Sequence, residues 1–170
     1  MTLSERLTRP WPIAAALISA AMLGTAHAFE TFGKYPPCEL CLHQREAYWI
    51  ALAIGIVGAV AIRMRPDFAR AIALVLGLVF AAGALLAAYH AGVEWKWWPG
   101  PSSCTGAGTK GVSATDMADL LAGVKVHAVR CDEAAWKMLG LSMAGWNALA
   151  SAGFAAISLF VAISKGSKGG

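Results

Sequence analysis

The stretch that decides the fold class runs from Phe68 to Tyr89 and reads FARAIALVLGLVFAAGALLAAY. Arg70 is its only charged residue, and the stretch is long enough to cross a bilayer, which takes roughly 20 apolar residues in a helix. Similar apolar blocks recur along the chain, so that spans are predicted at about residues 11–29, 43–62, 68–89 and 145–163. Because backbone polar groups in lipid must be satisfied within the segment, we interpret all of them as helices.

The composition supports the same interpretation. Hydrophobic residues make up 58% of the 170 residues and charged residues 14%, whereas a soluble domain has about 45–50% and about 25%. The net charge of +4 does not indicate nucleic-acid binding, because the basic residues lie mainly at the ends of the apolar blocks. We therefore predict a single all-α membrane domain, a four-transmembrane-helix bundle with two outer loops. Short amphipathic helices are expected on the membrane surface at about residues 113–124 and 132–141.

Lysine and arginine predict the orientation of the bundle. They mark the N-terminus, the short link at residues 63–70 and the C-terminal tail as cytoplasmic. The loops at about 30–44 and 90–144 then lie outside, and all four cysteines fall in or beside them. The N-terminal block imitates a signal peptide, but its apolar run exceeds the usual length, so we expect it to be retained as the first span. Cysteines on the oxidising side of a membrane are expected to form disulfides or redox-active thiols.

The first cysteine pair, Cys38 and Cys41, forms a C-x-x-C motif behind two prolines at the start of the second span. A helix N-terminus stabilises a thiolate, which is the reactive form in disulfide exchange. Arg45 lies one helical turn beyond Cys41, on the same face, where it can stabilise that thiolate and bind an anionic or carbonyl oxygen. The alternative is a static disulfide with Arg45 reaching the membrane surface.

The second pair, Cys104 and Cys131, is separated by a long loop. It is either a redox pair or a structural staple of that loop. A zinc site is disfavoured, because zinc motifs usually contain a second closely spaced pair, and we expect no metal. His90 closes the third span and is a candidate proton donor beside Arg45. An interfacial or structural role is nevertheless favoured over catalysis for each histidine: His90 itself, His27, His43 and His127.

These motifs resemble the bacterial disulfide bond formation protein B family (DsbB), the quinone-linked oxidases of periplasmic DsbA-type proteins. The matching segments are Cys38-Glu39-Leu40-Cys41 with Arg45, Pro101-Ser102-Ser103-Cys104, and Cys131 followed by Trp136 and Leu139-Gly140-Leu141. The segment between Cys104 and Cys131 does not align residue by residue.

The resemblance implies roles for the matching positions. A thioredoxin-fold, DsbA-like partner would attack Cys104, whose pair-mate is Cys131. Cys38 and Cys41 would re-oxidise that pair, with Cys41 nearest the quinone and Arg45 beside it. The implied cofactor is a quinone, with ubiquinone and menaquinone both open. The implied location is the bacterial inner membrane, with both termini cytoplasmic.

Two other functions compete with this interpretation. One is a quinone reductase similar to the vitamin K epoxide reductase family, in which the quinone-proximal C-x-x-C lies late in the chain. Here the motif precedes the second span, which argues against that family. The other is a membrane protein whose disulfides are purely structural.

Overall fold

The computed structural model describes residues 8–101, 121 and 130–164. Within that part of the chain, α1 spans Trp11–Thr31, α2 Glu39–Met64, α3 Ala69–Glu94 and α4 Met143–Ile163. Pro66–Phe68 forms a short 3-10 turn between α2 and α3. Each of the four helices is long and apolar enough to cross a membrane. The predicted four-helix membrane fold is therefore confirmed.

The helix N-termini that frame one end of the bundle carry side-chain caps. Cys38 precedes α2, and its sulfur accepts from the backbone N–H of Cys41 at 3.3 Å. Ser142 precedes α4, and its hydroxyl accepts from the Gly145 N–H at 3.1 Å. Each cap satisfies a backbone donor that the first helical turn leaves without a partner. Both cysteines of the motif are thereby fixed at the start of α2, at what we term the cysteine end of the bundle.

Small residues let the helices approach closely. α3 packs mainly against α4, and α1 against α2. A side-chain carbon added at Gly55 would lie 2.7 Å from the Pro12 carbonyl of α1, and one at Gly77 would lie 2.8 Å from Leu159 of α4. Such contacts supply the van der Waals packing on which helix association in lipid depends. The core joins all four helices and contains Ala15, Leu23, Tyr48, Ala51, Leu76, Phe80 and Ala155.

The segment before α4 differs from the prediction. A helix was expected at 132–141, but the chain forms turns and then a hairpin in which Lys137–Met138 pairs antiparallel with Leu141–Ser142. Leu139 and Gly140 both have positive φ, at 52° and 82°, as a tight two-residue hairpin turn requires. The helix prediction was wrong here because Gly140 supplies a turn rather than a helix end. The segment predicted as a helix at 113–124 lies outside the described residues except for position 121.

Candidate functional site

Cys38 and Cys41 are free thiols whose sulfurs lie 2.7 Å apart at the N-terminus of α2. Cys38 is 6% exposed, and Cys41 is partly buried. The pKa of the Cys38 thiol is raised above its ordinary value, first by its hydrogen bond with Cys41 and then by burial. The two thiols share a hydrogen bond, and the Cys41 sulfur sits in the first turn of α2. The positive end of the helix dipole lies there and favours negative charge on Cys41.

A cavity of about 420 Å³ opens beside this pair, lined by residues of all four helices and of the segment before α4. Both cysteines line it, as do Arg45 and His90. Its walls are otherwise mostly apolar, a common composition for sites that bind small organic molecules. The apolar side chains include Met22, Leu23, Phe29, Trp136, Met143 and Trp146.

Arg45 reaches this cavity from α2 and is held by α1. Its Nη1 donates to Glu30 at 2.7 Å and its Nη2 to the Ala26 carbonyl at 3.4 Å. The Arg45 side chain is 15% exposed and that of Glu30 is 39% exposed. A guanidinium has five N–H donors, so these two bonds leave donors for an oxygen of a bound molecule. Glu30 and α1 thus fix the direction of a cation at the cavity wall.

His90 lies at the centre of the buried polar groups of the site, with 3% exposure. Its Nε2 is 3.7 Å from the Cys38 sulfur, and its Nδ1 is 2.8 Å from the Gln44 side-chain amide. The ring also donates a hydrogen bond to the backbone of Cys131. His90 therefore touches both the C-x-x-C pair and the segment that carries Cys131.

Glu94 follows one turn after His90 and places a carboxylate at the same wall. Its side chain is 6% exposed, and one oxygen lies 3.9 Å from the Nε2 of His90. The hydroxyl of Ser142 donates a hydrogen bond to the other oxygen. Since Ser142 also caps α4, this contact ties the ends of α3 and α4 together beside the cysteines.

Cys131 is fully buried and disulfide-bonded, and it belongs to the same apolar cluster as Cys38 and Leu40. Charged groups hold its segment in place. Lys96 lies 2.6 Å from the carboxylate of Asp132, and the guanidinium of Arg130 forms two bonds of 2.9 Å with it. Hydrogen bonds from Arg130 and Lys96 hold the pKa of Asp132 well below its usual range.

The sulfurs of Cys38 and Cys41 and a ring nitrogen of His90 lie within 4.8 Å of one another, close enough to be considered as ligands of one metal ion. The geometry argues against zinc. Two thiolates on tetrahedral zinc, with Zn–S bonds of about 2.3 Å, stand about 3.8 Å apart. The sulfurs of Cys38 and Cys41 are 2.7 Å apart, too close for two thiolates on one zinc ion.

Four of the residues predicted from sequence thus share one cavity: Cys38, Cys41, Arg45 and His90. Cys104 and His127 lie outside the described residues. His27 bonds to a carbonyl of its own helix and His43 pairs with Glu46 at the surface.

Several polar residues of the site escaped the sequence analysis: Glu30, Gln44, Glu94 and Asn147. The signal that points to Gln44 and Asn147 is a polar side chain inside an apolar span, which usually has a partner and often a function.

The comparisons with known proteins agree with this geometry. The family model for "Disulfide bond formation protein DsbB" matches residues 8–161, nearly the whole chain. A comparison with curated proteins finds no significant match. The resemblance expected from the cysteine motifs is confirmed.

Proposed function

Since the chain belongs to the DsbB family of membrane disulfide bond formation proteins, we propose that it is a quinone-dependent thiol oxidase of the bacterial inner membrane. It re-oxidises a soluble DsbA-like dithiol protein through two cysteine pairs. The observation that carries the proposal is the position of Cys38 and Cys41. They line a mostly apolar cavity on one side and, through Cys38, pack in one cluster with the disulfide-bonded Cys131 on the other.

The first step takes place at the loop pair, which we assign to Cys104 and Cys131. A thiolate of the partner attacks the sulfur of Cys104, and the electron pair of the broken bond goes to Cys131. The partner's second thiolate then attacks its own mixed disulfide. The partner leaves oxidised, and the loop pair holds two electrons and two protons.

The second step passes these electrons to the C-x-x-C pair. A thiolate of the loop pair attacks Cys38, and Cys41 leaves with the electron pair. Burial of Cys131 beside Cys38 favours this contact. The helix N-terminus and the nearby guanidinium of Arg45 stabilise the Cys41 thiolate that results.

The residues that line the cavity fit a quinone. Arg45 would donate to one of its oxygens, and Phe29, Trp136 and Trp146 would contact the ring. When bound there, the quinone supplies the two-electron acceptor that the cysteines lack. The protein supplies position, charge and exclusion of water. Arginine and lysine at the ends of the spans support cytoplasmic termini, which puts the cysteine end on the periplasmic side.

The test is quinol formation by the purified protein after addition of a reduced periplasmic thioredoxin-fold protein. Quinol should appear in step with the loss of the partner's thiols, and Cys38→Ser and Cys41→Ser should each abolish turnover. His43→Gln is the matched control, because His43 lies in the same helical turn but points to the surface as the partner of Glu46. Full activity in Cys41→Ser would refute the relay.

A further inference from the structure

A continuous chain of hydrogen bonds runs from the middle of the bundle to His90. The Tyr48 hydroxyl lies 2.6 Å from the side-chain oxygen of Asn147. The amide nitrogen of Asn147 lies 2.6 Å from the Gln44 oxygen, and the amide nitrogen of Gln44 lies 2.8 Å from Nδ1 of His90. Gln44 and His90 are buried, so solvent does not compete for these bonds.

The donor-to-acceptor direction of these hydrogen bonds determines which nitrogen of His90 carries the proton. An amide has a donor and an acceptor end, so the chain alone permits two directions. His90 also donates to the backbone of Cys131. Gln44 bonds with Nδ1, so we infer that the nitrogen that donates to Cys131 is Nε2.

Every group of the chain then has a suitable partner. Nδ1 of His90 accepts from Gln44, Gln44 accepts from Asn147, and Asn147 accepts from Tyr48. The Ser151 hydroxyl, 2.8 Å from that of Tyr48, donates to it and closes the chain. The single N–H of a neutral His90 then lies on Nε2, where the Cys131 backbone accepts from it, and the same nitrogen is 3.7 Å from the Cys38 sulfur.

We propose that Gln44 and Asn147 are positioning residues that hold His90 with its proton on Nε2, so that the ring donates a hydrogen bond to Cys38 when this sulfur leaves during exchange between the two cysteine pairs. The proposal rests on the proposed function and names two residues that touch neither a reacting sulfur nor the partner.

The step that benefits is the second half of the exchange. The first attack has joined a loop sulfur to Cys38. The other loop thiolate attacks the loop sulfur of that bond, a new loop disulfide forms, and Cys38 departs with the electron pair. The two protons of the loop dithiol end on Cys38 and Cys41, and His90 gains or loses none. A thiol leaves faster when its thiolate is stabilised, and Cys38 is buried, so a donor aimed at its sulfur matters.

The test combines a spectroscopic and a kinetic measurement on the full-length protein. Nitrogen NMR of protein labelled in its histidines, with the His90→Asn variant for assignment, identifies the protonated nitrogen. The spectra are recorded at a pH well above the ordinary histidine pKa of about 6.5. We expect Nε2 to be protonated and Nδ1 unprotonated. The kinetic measurement follows the transfer of electrons from a reduced thioredoxin-fold protein to Cys38 and Cys41. Samples without quinone are quenched in acid at successive times, and their free thiols are then alkylated.

The informative variant is Asn147→Asp. A carboxylate cannot donate to Gln44, so the Gln44 amide should turn over and present its oxygen to His90. The proton should then move to Nδ1, and exchange should slow by roughly 10- to 150-fold, the range for loss of a hydrogen bond to a charged group. Gln44→Met, which removes the donor to Nδ1, should give a mixture of the two tautomers. Ser151→Ala is the matched control, because it removes the far end of the chain without reversing its direction.

Protonation of Nδ1 in the parent protein would overturn the proposal. So would an Asn147→Asp variant that folds and keeps the parent tautomer and exchange rate. If no electrons reach Cys38 and Cys41 in the parent protein, the proposed function fails, and the NMR result still decides the tautomer. Parent-like spectra with slow exchange in Gln44→Met would assign Gln44 a packing role and overturn the proposal as well.

Discussion

Removing the charge of Arg45 should weaken the use of quinone more than it weakens the fold. Arg45→Met keeps the apolar stem of the side chain and deletes the guanidinium at the cavity wall. A hydrogen bond to a charged group is worth about 1.5–3 kcal/mol, and each 1.4 kcal/mol corresponds to about a factor of ten. The KM for quinone is therefore expected to rise roughly 10- to 150-fold.

The expected cost in stability is smaller. The substitution leaves Glu30 without its cation, but 39% of that side chain is exposed, so its carboxylate can be hydrated. Pairs of this kind contribute up to about 1 kcal/mol. Arg45→Lys keeps the charge without the planar fork and should lie between the parent and Arg45→Met.

The assay is initial-rate quinol formation over a range of quinone concentrations, at saturating reduced partner. Arg63→Met is the matched control, since Arg63 lies on the same helix, in its last turn at the opposite end. The thermal midpoint of each variant checks the fold. A quinone KM in Arg45→Met equal to that of the parent would refute the role assigned to this guanidinium.

Four further predictions concern the loop and its pH dependence, the fold and the redox state. Asp132→Asn should release the segment held by Lys96 and Arg130. Dithiothreitol should then reduce the buried Cys131 disulfide about fivefold faster, as a loss of about 1 kcal/mol implies. An unchanged rate of reduction would contradict this prediction. The pKa of Asp132 is lowered in the folded protein, so its ion pairs contribute to stability at pH values above the ordinary carboxyl pKa of 3.8. This contribution is lost as the pH falls further. The thermal midpoints of the parent and of Asp132→Asn should therefore converge at acid pH. Gly77→Leu should lower the thermal midpoint by an overpacking cost of about 1–3 kcal/mol, whereas Gly153→Leu, where an added carbon meets nothing within 4 Å, should not. Thiol labelling in cells should show mixed redox states of Cys38 and Cys41 that change with quinone supply, and a single fixed oxidised state would favour structural disulfides.

The sequence predicted the helices well because their signal is local. Long apolar blocks leave the backbone few alternatives in lipid, and each predicted span overlaps an observed helix. The second helix starts earlier than its apolar block because Cys38 caps it. The hairpin at Lys137–Ser142 was missed because its turn depends on backbone angles at Leu139 and Gly140 that composition does not reveal.

For the candidate site, the sequence predicted the cysteine pair, Arg45 and His90, which share one cavity, but not the residues that orient them. C-x-x-C and an arginine one turn later have a recognisable chemistry. The groups that orient them come from distant parts of the chain. Asn147 bonds with Gln44 across 103 positions, and Glu30 meets Arg45 across 15 positions through the packing of α1 on α2. Such pairings depend on helix rotation and register, which a single sequence does not specify.

The cap of α2 has a practical consequence for studies of this protein. In the proposed relay the sulfur of Cys38 is a reacting atom, and in the structure it is the acceptor that caps the N-terminus of α2. Alanine at this position removes both properties, and the resulting defect would mix lost chemistry with a frayed helix end. Serine is a favoured N-cap residue, so it keeps the helix end intact while removing the thiol. A comparison of the two variants therefore separates the effect of losing the helix cap from the effect of losing the thiol.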